Sequence, residues 1–522
     1  MPERICENGL GTLALLSLLV LSTLLGCSSG NDYSDEADTA KPVANPIITP
    51  VAAVDGRMYG GMRYDVTQSG YQVREFFFAG EAVTFPSSDA PPAPYRSRML
   101  VWTPTDPSRF NGTTVVEWAH VSDFGQFELT VELNYLSPLL VQRGYAFVLV
   151  SAEEGGVCDL GPIGCTSTSL RGADPQRYES LHHPGDPYSF DIFNQALQAI
   201  KYPSGTAPLG NLRTQFIVAQ GFQPSIDKWF PVGAPDTTAS TSPFGLNGPL
   251  NAYLTNGADA AAHLVDAFLI DAAAPGIEPD NYRVPTLHHL DESAFRRTPT
   301  RDRPNHVTWE VIGAAHVDRW SGSHIHIPRL GEPAVLLRPQ DEDTRRDAAD
   351  NFGQVPDSSG EVCAPGPYTG SLFPRRFTLN AALVALHDWL ETGVPAPAAP
   401  RAERVGPPPD TAAKKLLRDA DGNAIGGLRT PLIQVPVASY NGEACIQAGT
   451  TTILSGERLA ALYPTHRSYV EQLLAAVDEA VENRFLLCPD AQTILRKASD
   501  SVIGGNDKYS ALPACAQVSG GG

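Results

Sequence analysis

The feature that most restricts the fold of this chain is a series of short, apolar, β-branched segments separated by longer amphipathic stretches. Several of these segments are almost continuously apolar, as strands buried on both faces of a sheet are. The pattern predicts strands at residues 99–102, 113–118, 145–151, 215–219, 267–271, 284–287 and 307–312, and helices at residues 190–201, 378–390 and 469–485. Such alternation indicates an α/β fold, in which helices flank a mostly parallel central sheet.

The composition indicates a large folded domain and excludes one class of partner. Of the 522 residues, 42% are hydrophobic, which is enough to build a substantial core. The 58 acidic residues outnumber the 38 basic ones, for a net charge of −20. A chain this acidic does not attract phosphate groups, so we expect no nucleic acid partner. No glycine-rich phosphate loop follows a predicted strand, and we expect no cofactor.

The N-terminal residues have the pattern of an export signal. The apolar run at residues 13–25 is shorter than the roughly 20 residues that a membrane-spanning helix needs. We therefore predict a signal peptide at residues 1–26. The sequence Leu24-Leu25-Gly26-Cys27 resembles the lipobox of bacterial lipoproteins, whose cysteine is acylated and becomes the new N terminus.

The residues after Cys27 are polar, acidic and poor in aromatic side chains, which predicts a flexible, lipid-anchored tether at residues 27–50. The expected location is therefore the cell envelope, where an exported lipoprotein is held to the membrane by its N-terminal lipid. By its resemblance to lipoproteins, Ser28 after the cysteine, with no Asp there, implies retention in the outer membrane of a Gram-negative cell. The alternative is an ordinary cleaved signal in which Cys27 has no special role.

The other cysteines favour disulfides over a metal site. Cys6 leaves with the signal peptide, and six of the 8 cysteines then remain besides Cys27. An even number in an exported protein predicts disulfides, with the pair Cys158 and Cys165 close enough to close one loop. No Cys-x-x-Cys pair is present, and His324-Ile-His326 lacks a third ligand, so no metal is expected.

Residues that could take part in catalysis follow three of the predicted strands, and their order along the chain is informative. The first is the turn Gly221-Phe222-Gln223-Pro224-Ser225, the second is the acidic pair Asp291-Glu292, and the third is His316, which follows a strand and the small residues Gly313-Ala-Ala. Turn, acid and histidine follow one another in the chain order of the α/β-hydrolase triad. In that triad the histidine deprotonates a nucleophile on the turn, and the acid orients the histidine.

The chain also resembles the poorly characterised α/β-hydrolase-domain proteins of bacteria and fungi, many of which are exported. Nine segments match in the family's order, at residues 109–113, 116–118, 143–146, 174–178, 183–186, 188–192, 253–256, 313–318 and 421–431. Because they span most of the mature chain, the resemblance implies a single elaborated α/β-hydrolase domain at residues 51–518. This domain would carry long loop insertions and an added C-terminal segment.

The resemblance implies hydrolysis of a small-molecule ester or related acyl compound. The general base would be His316, and the acid would be Glu292. Asp291 is a close rival for the acid, because a shift of one residue exchanges the two, and it is otherwise expected to line the site.

The expected nucleophile position departs from the family. The family reads Gly-x-Ser-Gln-Ser, whereas this chain places Gln223 at the serine and Pro224 after it. A carboxamide cannot be activated as a nucleophile, and proline has no backbone N–H to stabilise an oxyanion. Ser225 is then the candidate nucleophile, while Ser240 and Ser242 are weaker candidates. Gln223 would line the pocket.

A second departure lies in the loop expected to supply the other oxyanion donor. There the family's Asn-Val-Ser reads His120-Val121-Ser122, so His120 is predicted to line the site. Two functions therefore remain open. One is an extracytoplasmic hydrolase that uses Ser225, His316 and Glu292, and the other is a catalytically inactive member that binds a ligand or partner. The sequence makes no prediction about oligomeric state.

Overall fold

The computed structural model describes residues 43–52, 66–85, 89–122, 127–158, 165, 169–222, 250, 253–254, 263–272, 282–295, 302–320, 370–405, 415–445 and 448–507. By its internal contacts the chain divides into a segment Met1–Thr39 and a compact unit Ala40–Gly522. Several predicted features lie outside the described residues, namely the signal peptide, Cys27, Gln223, Pro224, Ser225, Ser240, Ser242, His324 and His326.

A nine-stranded sheet forms the centre of the compact unit. The strands are β1 Ile47–Val51, β2 Tyr71–Ala82, β3 Ala93–Pro104, β4 Thr113–Trp118, β5 His120–Ser122, β6 Phe127–Leu129, β7 Ala146–Val150, β8 Phe216–Phe222, β9 Ala267–Asp271, β10 Thr286–Leu290, β11 His306–Glu310, β12 Arg404–Val405, β13 Lys415–Leu416, β14 Ala438–Asn441 and β15 Thr450–Ile453. In the main sheet the order is β1-β2-β3-β7-β4-β8-β9-β10-β11. The first three strands and the β3–β7 pair are antiparallel, and the remaining neighbours are parallel.

All seven predicted strands are present, and the mostly parallel sheet is confirmed. The bounds of β4 and β9 agree with the prediction, because both are short apolar runs with clear ends. Strand β10 begins at Thr286 and not at residue 284, since Pro285 cannot donate a hydrogen bond to a neighbouring strand. Strand β8 runs on to Phe222, so Gly221 and Phe222 of the predicted nucleophile turn belong to the strand, and its other three residues lie outside the described ranges.

Helices cover both faces of the sheet. They are α1 Val131–Arg143, α2 Glu154–Cys158, α3 Leu170–Ala173, α4 Pro175–Tyr178, α5 Ser189–Lys201, α6 Glu292–Phe295, α7 Arg375–Thr392, α8 Pro431–Gln434, α9 Gly456–Leu462, α10 His466–Glu482 and α11 Cys488–Asp500. One core packs α1, α7 and α10 against the sheet, and a second core packs α5 against the opposite face. Of the helices in the described ranges, none is long and apolar enough to cross a membrane.

Both ends of the domain are joined to the sheet. Strand β1 begins at Ile47 and pairs along its whole length with β2, so the last residues of the predicted tether belong to the sheet. At the other end, the C-terminal segment is joined to β11, the last strand of the sheet, because Leu428 N donates a hydrogen bond to Glu310 O at 2.7 Å. Buried side chains of α10 and α11 belong to the same core as β11. The C-terminal segment is therefore part of the domain's core.

Cys158, at the end of α2, lies close to Cys165. Their Cα atoms are 4.7 Å apart, and their sulfur atoms lie at bonding distance. This spacing is within the range that a disulfide spans and is compatible with the predicted pair.

Candidate active site

The sheet brings the described members of the predicted site to one edge, namely His120, Asp291, Glu292 and His316. Strands β8, β9, β10 and β11 are parallel neighbours, so their carboxyl ends lie side by side. Asp291 directly follows β10, and His316 follows β11 after a short turn. In open α/β sheets this edge is where ligands bind.

His316 and Asp291 form the central contact of this edge. His316 Nδ1 lies 3.2 Å from Asp291 Oδ2, and both side chains are buried. The other carboxylate oxygen accepts hydrogen bonds from the backbone N–H groups of Ser293 at 2.7 Å and Ala294 at 3.1 Å. These two donors hold the carboxylate in one orientation. The remaining oxygen is thereby presented to the imidazole, as in an acid–histidine pair.

Glu292, the predicted acid, is bound to other groups. Its Oε1 accepts from Gly313 N at 2.8 Å, while its Oε2 accepts from Arg418 Nη2 at 2.7 Å and from Gly442 N at 3.0 Å. Burial raises the pKa of Glu292, although the neighbouring Arg418 guanidinium acts in the opposite direction. The structure therefore places Asp291, and not Glu292, in contact with His316, so the geometry favours the rival acid that the sequence left open. The physical reason is that Glu292 begins α6, where the chain turns and its side chain faces the C-terminal segment.

The turn before His316 explains the small residues in the sequence. Gly313 has φ +80°, and a Cβ there would come within 3.0 Å of Ile433, Phe373 and Tyr440. Only glycine adopts this positive φ without strain and has no Cβ to clash with these three side chains. Ala314 and Ala315 are fully buried, and Ala314 O accepts a hydrogen bond from Glu292 N at 3.1 Å. Close packing of this turn therefore fixes the position of His316 relative to the end of β11.

His120 lies close enough to His316 for their charges to interact. It begins β5, which pairs with β6 in a short hairpin after β4, and the residue is only 9% exposed. Burial, and then the positive charge of His316, lower the pKa of His120 to about 3. The imidazole of His120 is therefore neutral at neutral pH, and it adds no positive charge next to His316.

Beneath this edge lies a set of buried polar residues that the sequence did not identify as a group, which we call the carboxyl-edge layer. It consists of Glu117, Glu132, Gln220, Asp271, His289, Arg375 and Thr378. Four of them, Glu117, Gln220, Asp271 and His289, lie within the last three residues of β4, β8, β9 and β10, respectively. A polar residue that interrupts an apolar strand close to its carboxyl end was the available signal. Within the described ranges, no group of three or more His, Cys, Asp or Glu could hold a metal ion.

Comparison with known proteins agrees with this architecture. A family model described as "Alpha/beta hydrolase domain" matches residues 43–229 and 236–496. Together with the strand order, this match confirms the predicted α/β-hydrolase fold. A search of curated proteins found no match.

Several solved structures are similar at low sequence identity. A glucuronoyl esterase from Solibacter usitatus is 9% identical with a TM-score of 0.26, over 48% of this chain and 69% of that one. A cold-adapted esterase from an Arctic intertidal metagenomic library is 13% identical with a TM-score of 0.21, over 43% and 75%. A protein of Klebsiella pneumoniae described as a dienelactone hydrolase is 12% identical with a TM-score of 0.21, over 42% and 73%.

Proposed function

The chain belongs to the α/β hydrolase domain family, and we propose that it hydrolyses esters or related acyl compounds outside the cytoplasm. The observation that carries the proposal is the 3.2 Å contact between His316 Nδ1 and Asp291 Oδ2 at the carboxyl edge of the sheet. Because Asp291 is fixed by two backbone N–H groups, it can orient the imidazole and stabilise the imidazolium that forms during catalysis.

In the proposed mechanism the nucleophile is Ser225. With Nδ1 directed at Asp291, His316 Nε2 takes the proton from Ser225 Oγ as this oxygen bonds to the acyl carbon. The bond from the acyl carbon to the alcohol oxygen then breaks, and the alcohol leaves with the proton from His316. Water adds to the acyl-enzyme by the same steps, transfers its proton through His316, and releases the carboxylic acid and Ser225.

Two further residues support the substrate at this site. His120, which burial keeps neutral, can donate a hydrogen bond to a substrate oxygen without raising the cost of protonating His316. Ile226, the residue after Ser225, has the backbone N–H that Pro224 lacks. With Ser225 as nucleophile, this N–H takes the place of the usual oxyanion donor.

The sequence at the turn also favours a second function, in which the protein binds a ligand or partner without hydrolysing it. Gln223 has no hydroxyl group, and Pro224 has no N–H, at the two positions where the family's chemistry uses both. The loss of one oxyanion donor typically lowers the rate about 100- to 1000-fold. In this alternative the acid–histidine pair remains as part of a binding pocket.

A fluorophosphonate probe with mass spectrometric mapping separates these two functions. For the hydrolase we expect an adduct on Ser225 that is lost in Ser225→Ala and in His316→Ala. Ser240→Ala is the matched control and should be labelled like the wild type. Turnover of a panel of aryl esters should follow the same pattern. No labelling, together with no turnover of the panel, would instead support the binding function.

A double substitution tests whether the pocket itself is competent. Gln223→Ser with Pro224→Gln restores both the hydroxyl and the N–H of the family's turn. We expect this variant to gain or increase esterase activity, because the acid–histidine pair is already in place. A folded but inactive double variant would count against a catalytic pocket.

A further inference from the structure

A fully buried arginine connects the histidine loop to the end of a neighbouring strand. Arg375 is the first residue of α7, and its Nη1 donates a hydrogen bond to His316 O at 2.8 Å. Its Nη2 donates to Asp271 Oδ2 at the end of β9. The guanidinium also lies over the Tyr135 ring, 5.1 Å from the ring centroid. One side chain thus joins the catalytic histidine's backbone to the sheet.

The partner of this arginine is itself held by a chain of hydrogen bonds. Asp271 Oδ1 lies 2.8 Å from His289 Nδ1, and His289 Nε2 lies 2.8 Å from Thr378 Oγ1. Thr378 Oγ1 in turn lies 3.0 Å from the backbone oxygen of Arg375, one turn earlier in α7. The contacts therefore form a closed ring that starts and ends at Arg375. A closed ring of buried polar groups has little freedom to rearrange.

The charges in this ring are matched. Burial alone would raise the pKa of Asp271, but the Arg375 guanidinium and His289 outweigh it and lower that pKa. Asp271 therefore stays ionised next to the guanidinium. A buried ion pair of this kind depends on both partners, because removing one leaves the other charge unpaired.

From this geometry we infer that Arg375 is a positioning residue, which holds the backbone of His316 so that the imidazole meets Asp291. This inference rests on the proposed hydrolase function. The planar guanidinium is needed because it presents two donors in a rigid fork, one for Asp271 and one for His316 O. A lysine at this position would supply the charge for Asp271 without that fork.

The test compares Arg375→Lys with Arg376→Lys, the same change one residue further along α7. The side chain of Arg376 lies over Trp320 and Phe377 and 3.6 Å from Asp490, so it is likewise a buried guanidinium with a carboxylate partner. We expect Arg375→Lys to lower kcat about 10- to 100-fold with KM within about twofold, since a displaced catalytic group affects the chemical step. Arg376→Lys should leave kcat within about twofold. Wild-type kcat in Arg375→Lys would overturn the inference.

A second measurement does not depend on catalysis. In the wild type we expect a downfield proton resonance for the hydrogen-bonded Nδ1–H of His316, which is assigned by its loss in His316→Gln. The resonance should disappear or shift in Arg375→Lys and persist in Arg376→Lys. If it is unchanged in Arg375→Lys, the inference is wrong. If the wild type hydrolyses no ester and yet the resonance behaves as expected, the hydrolase proposal fails while the positioning role stands.

A milder variant covers the case in which Arg375→Lys does not fold. Thr378→Val keeps the shape of the side chain but removes the hydroxyl that contacts His289, so it loosens the ring at its far end. We expect a smaller loss of kcat, about 3- to 10-fold, and rescue by Thr378→Ser, which restores the hydroxyl. Equal activity of the Val and Ser variants would overturn the role of the ring.

Discussion

Glu292 Oε2 accepts a hydrogen bond from Arg418 Nη2 at 2.7 Å, which links the turn after β10 to the C-terminal segment of the domain. The same carboxylate accepts from Gly313 N and Gly442 N, so it also holds the turn that precedes His316. Glu292 therefore joins three parts of the chain, and it lies immediately beside Asp291, the carboxylate in contact with His316. Two neighbouring carboxylates in the chain have separate tasks.

The first prediction separates these two carboxylates. Asp291→Asn should fold normally but lower kcat about 100- to 10,000-fold, because an amide neither stabilises the imidazolium nor holds its tautomer. Glu292→Gln should instead affect stability: we expect a loss of about 1–3 kcal/mol in the free energy of unfolding, with kcat changed only a few-fold. Urea denaturation and steady-state kinetics measure both. Full stability with lost turnover in Glu292→Gln would return the acid to Glu292.

The second prediction concerns the contact between the C-terminal segment and the histidine turn. A Cβ at Gly442 would lie 1.9 Å from Ala314 O, a backbone atom that cannot move away easily. We expect Gly442→Ala to destabilise the domain by about 3 kcal/mol or more. Gly456→Ala is the matched control, because a Cβ there meets no atom within 4 Å. Similar unfolding midpoints for the two variants would contradict this packing.

The third prediction is a pH dependence that arises in the carboxyl-edge layer. Glu117 accepts backbone hydrogen bonds from Val131 and Leu133, and the fully buried side chain of Glu132 lies beside it. Burial raises the pKa of Glu117 to about 8, and burial beside Glu117 also raises the pKa of Glu132. The folded pair therefore keeps a proton that the unfolded chain releases.

The sign follows from this difference in bound protons. Because the unfolded carboxyl groups lose their protons near pH 4.5, the free energy of unfolding should decrease as pH rises from about 4.5 to about 8. The slope is about 1.4 kcal/mol per pH unit for one proton. Glu132→Gln supplies a permanent donor and should flatten the slope, whereas the exposed Glu471→Gln should not. Urea denaturation at pH 5 to 8 measures the slope of the free energy of unfolding against pH. Equal slopes in wild type and Glu132→Gln would exclude a shared proton.

The fourth prediction tests the proposed lipid anchor. Cys27→Ala should give a protein that lacks the added mass of the lipid and leaves the membrane fraction, since no acylated N terminus can form. Cys6→Ala is the matched control, because that cysteine lies within the predicted signal peptide and its loss should not affect lipidation. Intact mass spectrometry of the detergent extract gives the answer. Equal masses and membrane retention for wild type and Cys27→Ala, after allowance for the substitution itself, would argue against a lipoprotein.

The sequence by itself determined the strands of the sheet and the position of the candidate site at their carboxyl ends. Runs such as those in β4 and β9 are apolar throughout most of their length, and burial on both faces of a parallel sheet requires that composition. The position of His316 after β11 also followed from the sequence, because a strand, Gly313 and two alanines define the turn locally. These features depend on residues that are near one another in the chain.

The tertiary structure decided which side chains contact one another at the carboxyl ends of the strands. Asp291 and Glu292 are adjacent and chemically alike, and the choice between them depends on Arg418 and Gly442, which are more than 100 positions away in the chain. Arg375 lies 59 positions after His316 and is brought to it by α7. Contacts over such distances arise from the packing of helices and loops against the sheet, and no local pattern of residues encodes their direction.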